Sequence, residues 1–470
     1  MLPDVALLKI FELYLDKEPV EAWHTLVHVC RTWRNVVFGS PRRLNLRLHC
    51  EASTPVREML GIWPPLPIQI VTRGIDTWGS DNIIAALEHK DRICRLLFFK
   101  TPSLEMDKAI DKVLRALQQP LPALTFLFFD SNVETPASFL GGSAPALQSI
   151  HVRSIPFPGL PKLLLSATHL QTLDLWNISH SGYISPDAMV ACLSVLTRLE
   201  NLHIGFESPR SHPDLQPPPP PPTRTHLPVL TVLRFEGVVE YLDDLLAQID
   251  IPLLNNLKIT FFHRRILHIP QLTRLLSTRI SRSPKFNAQC DARVEFNNSD
   301  VTVALPQTFD GVIELGIAYR PGSSWELSSV VYLYGSDLPP ALVPVVERLY
   351  IIQSFHSFDL LEYQWRETDQ CQWLRLFRSF IAVKDLYISS ELTSRIALAL
   401  QKFVGALGER VIEVLPALQT LFLEEPLRPG RVQEAIEQFV AARQLSSHPV
   451  LVSRWERKWM DGRESSSHDR

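Results

Sequence analysis

A chain of 470 residues, 46% hydrophobic and 21% charged, can bury a substantial core and is too long for one small domain. Its formal charge of −3 gives no global attraction to phosphate backbones, which argues against a dedicated nucleic-acid binder. Six dispersed cysteines without a CxxC pair (Cys30, Cys50, Cys94, Cys192, Cys290, Cys371) argue against zinc fingers and disulfide scaffolds, and no apolar run approaches the roughly 20 residues that span a bilayer.

Near the N-terminus, Asp4 and Lys9 interrupt any secretory signal core, so a cytoplasmic and/or nuclear protein without a membrane anchor is expected. From Asp4 to Leu15, Val5, Leu8, Phe11 and Leu15 recur at helical spacing and predict one amphipathic helix. Pro3 precedes it, where a missing N–H costs least. A second stripe, Trp23, Leu26, Cys30, Trp33 and Val37, predicts one further helix, with Arg31, Arg34 and Asn35 on its wet side. Gly39-Ser40-Pro41 stops it, and Leu44, Leu46 and Leu48 then alternate as a first extended segment. The five arginines of VHVCRTWRNVVFGSPRRLNLRL therefore need no nucleic acid.

Two helices in about 45 residues bury too little surface to be comfortably stable alone. The order Leu2-Pro3, then Leu7-Leu8-x-Ile10-Phe11, then Leu26-x-x-Val29-Cys30-Arg31-x-Trp33-Arg34 resembles the F-box pattern, and the run FGSPRRLNLRL resembles F-box-like proteins of mushroom-forming fungi. The resemblance covers roughly residues 1 to 45. It implies docking onto the Skp-type adaptor of a cullin-RING ubiquitin ligase through Leu2, Pro3, Leu7, Leu8, Ile10, Phe11, Leu26, Val29, Cys30 and Trp33. Without it, the same residues read as the core of a larger helical domain.

Residues 49–90 read as a connecting segment, and from residue 91 to 426 one pattern returns: an apolar residue, Leu three later, another apolar residue five later. The instances are ICRLLF, LTFLFF, LQSIHV, LQTLDL, LENLHI, LTVLRF, LNNLKI, VIELGI, VERLYI, VKDLYI and LQTLFL. The period is that of leucine-rich repeats, each a short strand with a helical or irregular return. The expected fold is α/β: a small N-terminal helical F-box of residues 1–48 followed by an irregular leucine-rich-repeat solenoid, a horseshoe. Segments 102–119 and 187–198 read as return helices, and Pro122, Pro145, Pro228 and Pro416 recur just before strands.

Strand side chains alternate, so the residue between the last two apolar positions faces away from the core. Those positions are Leu97, Phe128, His151, Asp174, His203, Arg234, Lys258, Gly316, Tyr350, Tyr387 and Phe422, with Arg153, Trp176 and Glu236 close by. From them the expected substrate-binding set is His151, Arg153, Asp174, Trp176, His203, Arg234, Glu236, Lys258, Tyr350 and Tyr387. A solvated sheet face without a partner has the same composition.

Residues 211–228 contain six consecutive prolines, which favour a polyproline II spacer of roughly 19 Å, read as a loop between repeats or an SH3- or WW-type ligand. Residues 427–470 read as a C-terminal helix and a disordered charged tail. No phosphate loop, GxGxxG, HExxH or GxSxG occurs, so neither an enzyme nor a bound cofactor is expected. His24 and His28, four apart beside Cys30, read as a structural pair rather than a metal site, and Asp243, Asp244 and Asp250 read as the polar face of a helix. The expected function is substrate recognition in an SCF-type ligase, with an unknown protein substrate on the repeat surface. The alternative is an interaction scaffold in which the N-terminal helices only cap the core.

Overall fold

The computed structural model describes residues 2–15, 22–41, 43–51, 55–72, 80–99, 112–130, 134–208, 224–254, 256–261, 271–272, 274–275, 290–296, 301–305, 314–319, 346–353, 373, 376–378, 380–407, 414–425 and 429–456. The polyproline run, most of the expected 102–119 helix and the terminal tail lie outside them. The chain forms two compact units, Met1–Val232 with Gln248–Leu253, and Leu233–Ala247 with Leu254–Arg470.

The first unit opens with three helices, α1 (Asp4–Leu15), α2 (Trp23–Val29) and α3 (Arg31–Gly39). The single helix expected over Trp23–Val37 is broken at Cys30, whose extended backbone (φ −159°, ψ 169°) makes it the N-cap of α3. Its Sγ accepts from the Trp33 N–H at 3.4 Å, so a residue expected inside the apolar stripe is instead an exposed cap. Phe11, Trp23, Val27 and Val37 are fully enclosed, and the Trp23 indole donates to the Arg47 carbonyl at 3.0 Å. Leu44, Leu46 and Leu48 are buried, but the extended segment expected over them begins only at Leu48, because Asn45 turns left-handed (φ 51°).

Seven strands follow in this unit: β1 (Leu48–Glu51), β2 (Ile68–Thr72), β3 (Ile93–Phe98), β4 (Phe126–Asp130), β5 (Ser149–Arg153), β6 (Thr172–Ile178) and β7 (Asn201–Phe206). They pair in parallel in sequence order. Residues 49–90 thus hold β1, β2 and the helices α4 (Val56–Ile62) and α5 (Ser80–Leu87). Two further helices, α6 (Leu160–Ser166) and α7 (Pro186–Leu193), lie on returns, and Ser185 caps α7 by accepting from the Ala188 N–H. Pro122, Pro145 and Pro416 each take the second place of a turn that delivers a buried leucine (Leu124, Leu147, Leu418) to the next strand, as fixed φ favours. A small parallel pair, β8 (Thr225–His226) with β10 (Ile249–Asp250), completes the unit.

In the second unit, among the described residues, nine strands lie in the order β9 (Val232–Gly237), β11 (Asn256–Phe261), β14 (Glu314–Tyr319), β13 (Val301–Leu305), β12 (Cys290–Phe296), β15 (Val346–Gln353), β16 (Asp385–Ile388), β17 (Thr420–Leu423) and β18 (Leu451–Arg454). Helices α8 (Val239–Gln248), α9 (Ser390–Leu407) and α10 (Arg431–Leu445) accompany them. This order corrects the expected fold. The α/β class holds, but a regular repeat solenoid, and with it a horseshoe, requires every strand to be parallel and in sequence order. Here β13 runs antiparallel to both β12 and β14, and β14 rather than β12 pairs with β11. The chain is therefore an α/β protein with mostly parallel sheets. The antiparallel strand β13, with β12 before it, falls between the repeat instances LNNLKI and VIELGI.

Substituting Trp23 with alanine removes a buried indole and its hydrogen bond to the Arg47 carbonyl. The expected cost is about 3–5 kcal/mol, read as a fall in the urea midpoint of the full chain.

Candidate functional site

The ten residues singled out in the N-terminal segment divide into a buried and an outward-facing set, with Trp33 between them. Leu7, Leu8, Phe11 and Leu26 fill the interior, so they hold the helices together and are not available to a partner. Trp33 is half-buried, its ring 4.8 Å from that of Phe11. Leu2, Pro3, Ile10, Val29 and Cys30 face outward, joined by the exposed Val5 and Leu13. Several large apolar groups in water, on helices whose own core is already full, mark an interaction surface more than a packing defect. Of the two histidines on α2, His24 stacks on Trp63 (4.9 Å, 8° between planes) and His28 meets its edge at 6.0 Å. Trp63 also packs at 5.1 Å on Trp23, so the pair is structural and ties the helices to the segment before β2.

On the sheet of the first unit, register aligns Leu97, Phe128, His151, Asp174 and His203 side by side across β3 to β7. The intervening residues Leu96, Leu127, Ile150, Leu173 and Leu202 are buried on the other face. His151 Nδ1 lies 3.0 Å from Asp174 Oδ2, and His203 Nδ1 lies 2.8 Å from Asp174 Oδ1. Burial pushes the Asp174 carboxyl up, but the hydrogen bonds and charges of the two imidazoles outweigh it and hold the group well below the ordinary carboxylate range. Arg153 lies over Phe128 at 5.4 Å, and Trp176, beside Arg153 in the register, meets His203 edge-on at 4.7 Å. Strand alternation places Trp176 on the same face as Asp174, 37% exposed, just where the β6–β7 register shifts between Leu175 and Ile178. Ser154 and Asn177 beside it are left-handed (φ 57° and 59°), linked by an Asn177 Nδ2 to Ser154 Oγ bond of 2.8 Å. Thus His151, Arg153, Asp174, Trp176 and His203 form one connected polar and aromatic cluster.

The remaining five positions lie in the second unit. Arg234 and Lys258 are exposed on β9 and β11. Glu236, expected on the wet face, is instead 5% exposed, because β9 passes into α8 within three residues and that end of the strand is enclosed. Tyr350 and Tyr387 stack at 4.2 Å, and Tyr387 stacks on Phe422 at 4.3 Å, an aromatic ladder across β15, β16 and β17. Trp455 stands edge-on to Tyr387 at 5.6 Å, and its indole donates to the Ile388 carbonyl. Burial, then the charge of Asp291 and the neighbouring Tyr387, holds the Tyr350 phenol above its ordinary value, so it stays neutral. Beside the ladder, Arg348 pairs with Asp291 at 2.6 Å. The ladder's faces are largely spent on one another, so it offers edges and hydroxyls rather than open stacking surfaces.

Reading only the central row missed Arg95, two positions before Leu97 on the same face of β3; carrying the alternation one step back finds it. Nothing periodic announces Trp63 or Trp455. Of the acids set aside in YLDDLLAQID, Asp243 accepts from the Gln271 N–H, while Asp250 belongs to β10 and pairs with His226 at 2.9 Å. Among the described residues no three His, Cys, Asp or Glu side chains converge as a metal would require, and no helix is long and apolar enough to cross a membrane. No protein-family model matches the chain, and no curated protein is similar to it.

Because Asp174 is more acidic folded than the ordinary value near 4, its contribution to stability is full above about pH 4 and is lost as pH falls toward its folded value. Asp174→Asn is expected to lower stability by about 1–3 kcal/mol at pH 7, with the gap to wild type narrowing below about pH 4. Urea midpoints measured against pH check this.

Proposed function

We propose that the protein is the substrate receptor of an SCF-type ubiquitin ligase. Its N-terminal helices bind a Skp-type adaptor, and its wet sheet faces bind a protein substrate. One observation carries the reading: within the F-box-like motif, three large apolar side chains are left uncovered. Leu2 is 57%, Ile10 46% and Val29 55% exposed, while Leu7, Leu8, Phe11 and Leu26 form the core beneath them. Such a surface gains about 25 cal/mol for each Å² of apolar area a partner covers.

The role needs no chemistry from this chain. A substrate held near a ubiquitin-carrying subunit reacts at raised effective concentration, and the receptor contributes only the two binding surfaces. On the substrate side the connected cluster around His151, Asp174, His203, Arg153 and Trp176 offers donors, acceptors and one exposed indole, the composition of a protein-binding hot spot. A second reading, an interaction scaffold outside any ligase with α1–α3 capping the core, is favoured by the packing of Trp63 on Trp23, which joins those helices to the first unit.

A pull-down of purified Skp-type adaptor on the full chain tests the first reading. Ile10→Asp and Val29→Asp lie on the exposed set, so each is expected to weaken adaptor retention by about tenfold or more while shifting stability by no more than about 0.5 kcal/mol. Folded wild-type protein that retains no adaptor would overturn the ligase role and leave the scaffold.

A further inference from the structure

We infer that Arg47 and Arg95, at the N-terminal side of strands β1 to β3, form a binding site for a dianionic oxyanion, a phosphate or a phosphomonoester group. Arg47 directly precedes β1, and its backbone is fixed by the hydrogen bond its carbonyl accepts from Trp23. Its guanidinium donates to two neutral oxygens, Asn45 Oδ1 at 2.6 Å and Gln69 Oε1 at 3.4 Å. Gln69 stands beside Arg95 in the β2–β3 register, so the two cations flank one buried amide. The Arg95 guanidinium lies over the Phe126 ring at 4.0 Å, a stacking that orients it and leaves the N–H groups of its two terminal nitrogens in plane to donate.

Neither arginine forms an ion pair with any described residue, and Arg95 donates no hydrogen bond to one: its Nε is shut off from solvent without a partner. Burial is the main influence lowering the Arg95 pKa, and the charge of Arg47 adds to it, so the two guanidinium groups repel each other across a partly desolvated space. The acid along this edge, Glu51, lies four residues beyond Arg47, with His49 Nε2 3.6 Å from its carboxylate. The half-buried Arg348, by contrast, has Asp291 at 2.6 Å, and the buried Arg443, which also lacks an acid, donates to the Pro416 and Leu418 carbonyls of its own core. Two cations held by neutral groups, with donors unspent, lack a counter-charge of about −2. A phosphate or phosphomonoester supplies about −1.5 to −2 near neutral pH, with oxygens that suit the guanidinium fork. A carboxylate supplies one charge. The inference holds whether or not the N-terminal helices bind an adaptor.

Calorimetric titration of the full chain with inorganic phosphate, N-acetyl-O-phosphoserine methylamide and acetate tests it. Wild type is expected to bind at least one of the two phosphates, with acetate about tenfold weaker or more. Binding of inorganic phosphate alone assigns a free anion, and binding of the ester alone or more tightly assigns a phosphorylated side chain. Arg47→Gln and Arg95→Gln should each weaken binding by about tenfold or more, whereas Arg153→Gln, on the same face over Phe128, should not. Phosphate should also raise the urea midpoint of wild type and not that of the two variants, whose midpoints without anion show that they fold. Affinity unchanged in both variants, acetate bound as tightly as phosphate, or no saturable binding by folded wild type would each overturn the site.

Discussion

Parallel strands that hydrogen-bond in register place residues of equal parity side by side, and each sheet here has one face to bury. These two conditions together leave little freedom. In the first unit Leu127, Ile150, Leu173 and Leu202 must line the core, so Phe128, His151, Asp174 and His203 must line the other face as neighbours. In the second unit the same constraint stacks Tyr350, Tyr387 and Phe422. The polar and aromatic clusters are thus products of registration: groups far apart in the chain are brought within hydrogen-bonding and stacking distance because their apolar neighbours are held on the opposite face.

How each cluster balances its charge distinguishes structural from receptive groups. Asp174 is largely buried, yet an imidazole nitrogen stands within 3.0 Å of each of its oxygens. Arg348 and Asp291 satisfy each other. Arg47 and Arg95 do not, although they lie on the same sheet face as the His–Asp–His cluster. A half-buried cation without an opposite charge costs stability, and a fold that keeps two of them together gains most from an anionic ligand.

The N-terminal helices are part of the first unit rather than a tethered bead. Trp23 bonds the Arg47 backbone and packs on Trp63, so the exposed groups Leu2, Ile10 and Val29 are held on helices fixed to the sheet that follows. For the proposed receptor, this rigidity would let the orientation of the adaptor determine the orientation of the sheet face that holds the substrate. The same hydrogen bond from Trp23 places the arginine pair immediately beyond the helices, because Arg47, whose carbonyl receives the indole bond, also carries the first guanidinium.

Much of the first unit is legible along the chain. The recurring apolar triplets locate β3 to β7 and their wet residues, and the turn prolines locate the strand entries, because both depend on local geometry and alternation. The repeat spacing alone did not reveal the antiparallel β12–β13–β14 excursion, since spacing constrains where strands occur and says nothing of which neighbour each one chooses. Nor could it place Cys30 as a cap, Glu236 under the start of α8, or Trp63 and Trp455 as packing partners. By itself the sequence determined the positions of the eleven repeat strands and the alternation of their central residues, consequences of a period of about 2 residues. Only the tertiary structure decided pairing order, which motif residues are core and which are exposed, and which charges are answered, because those depend on contacts between segments whose separation no local pattern encodes.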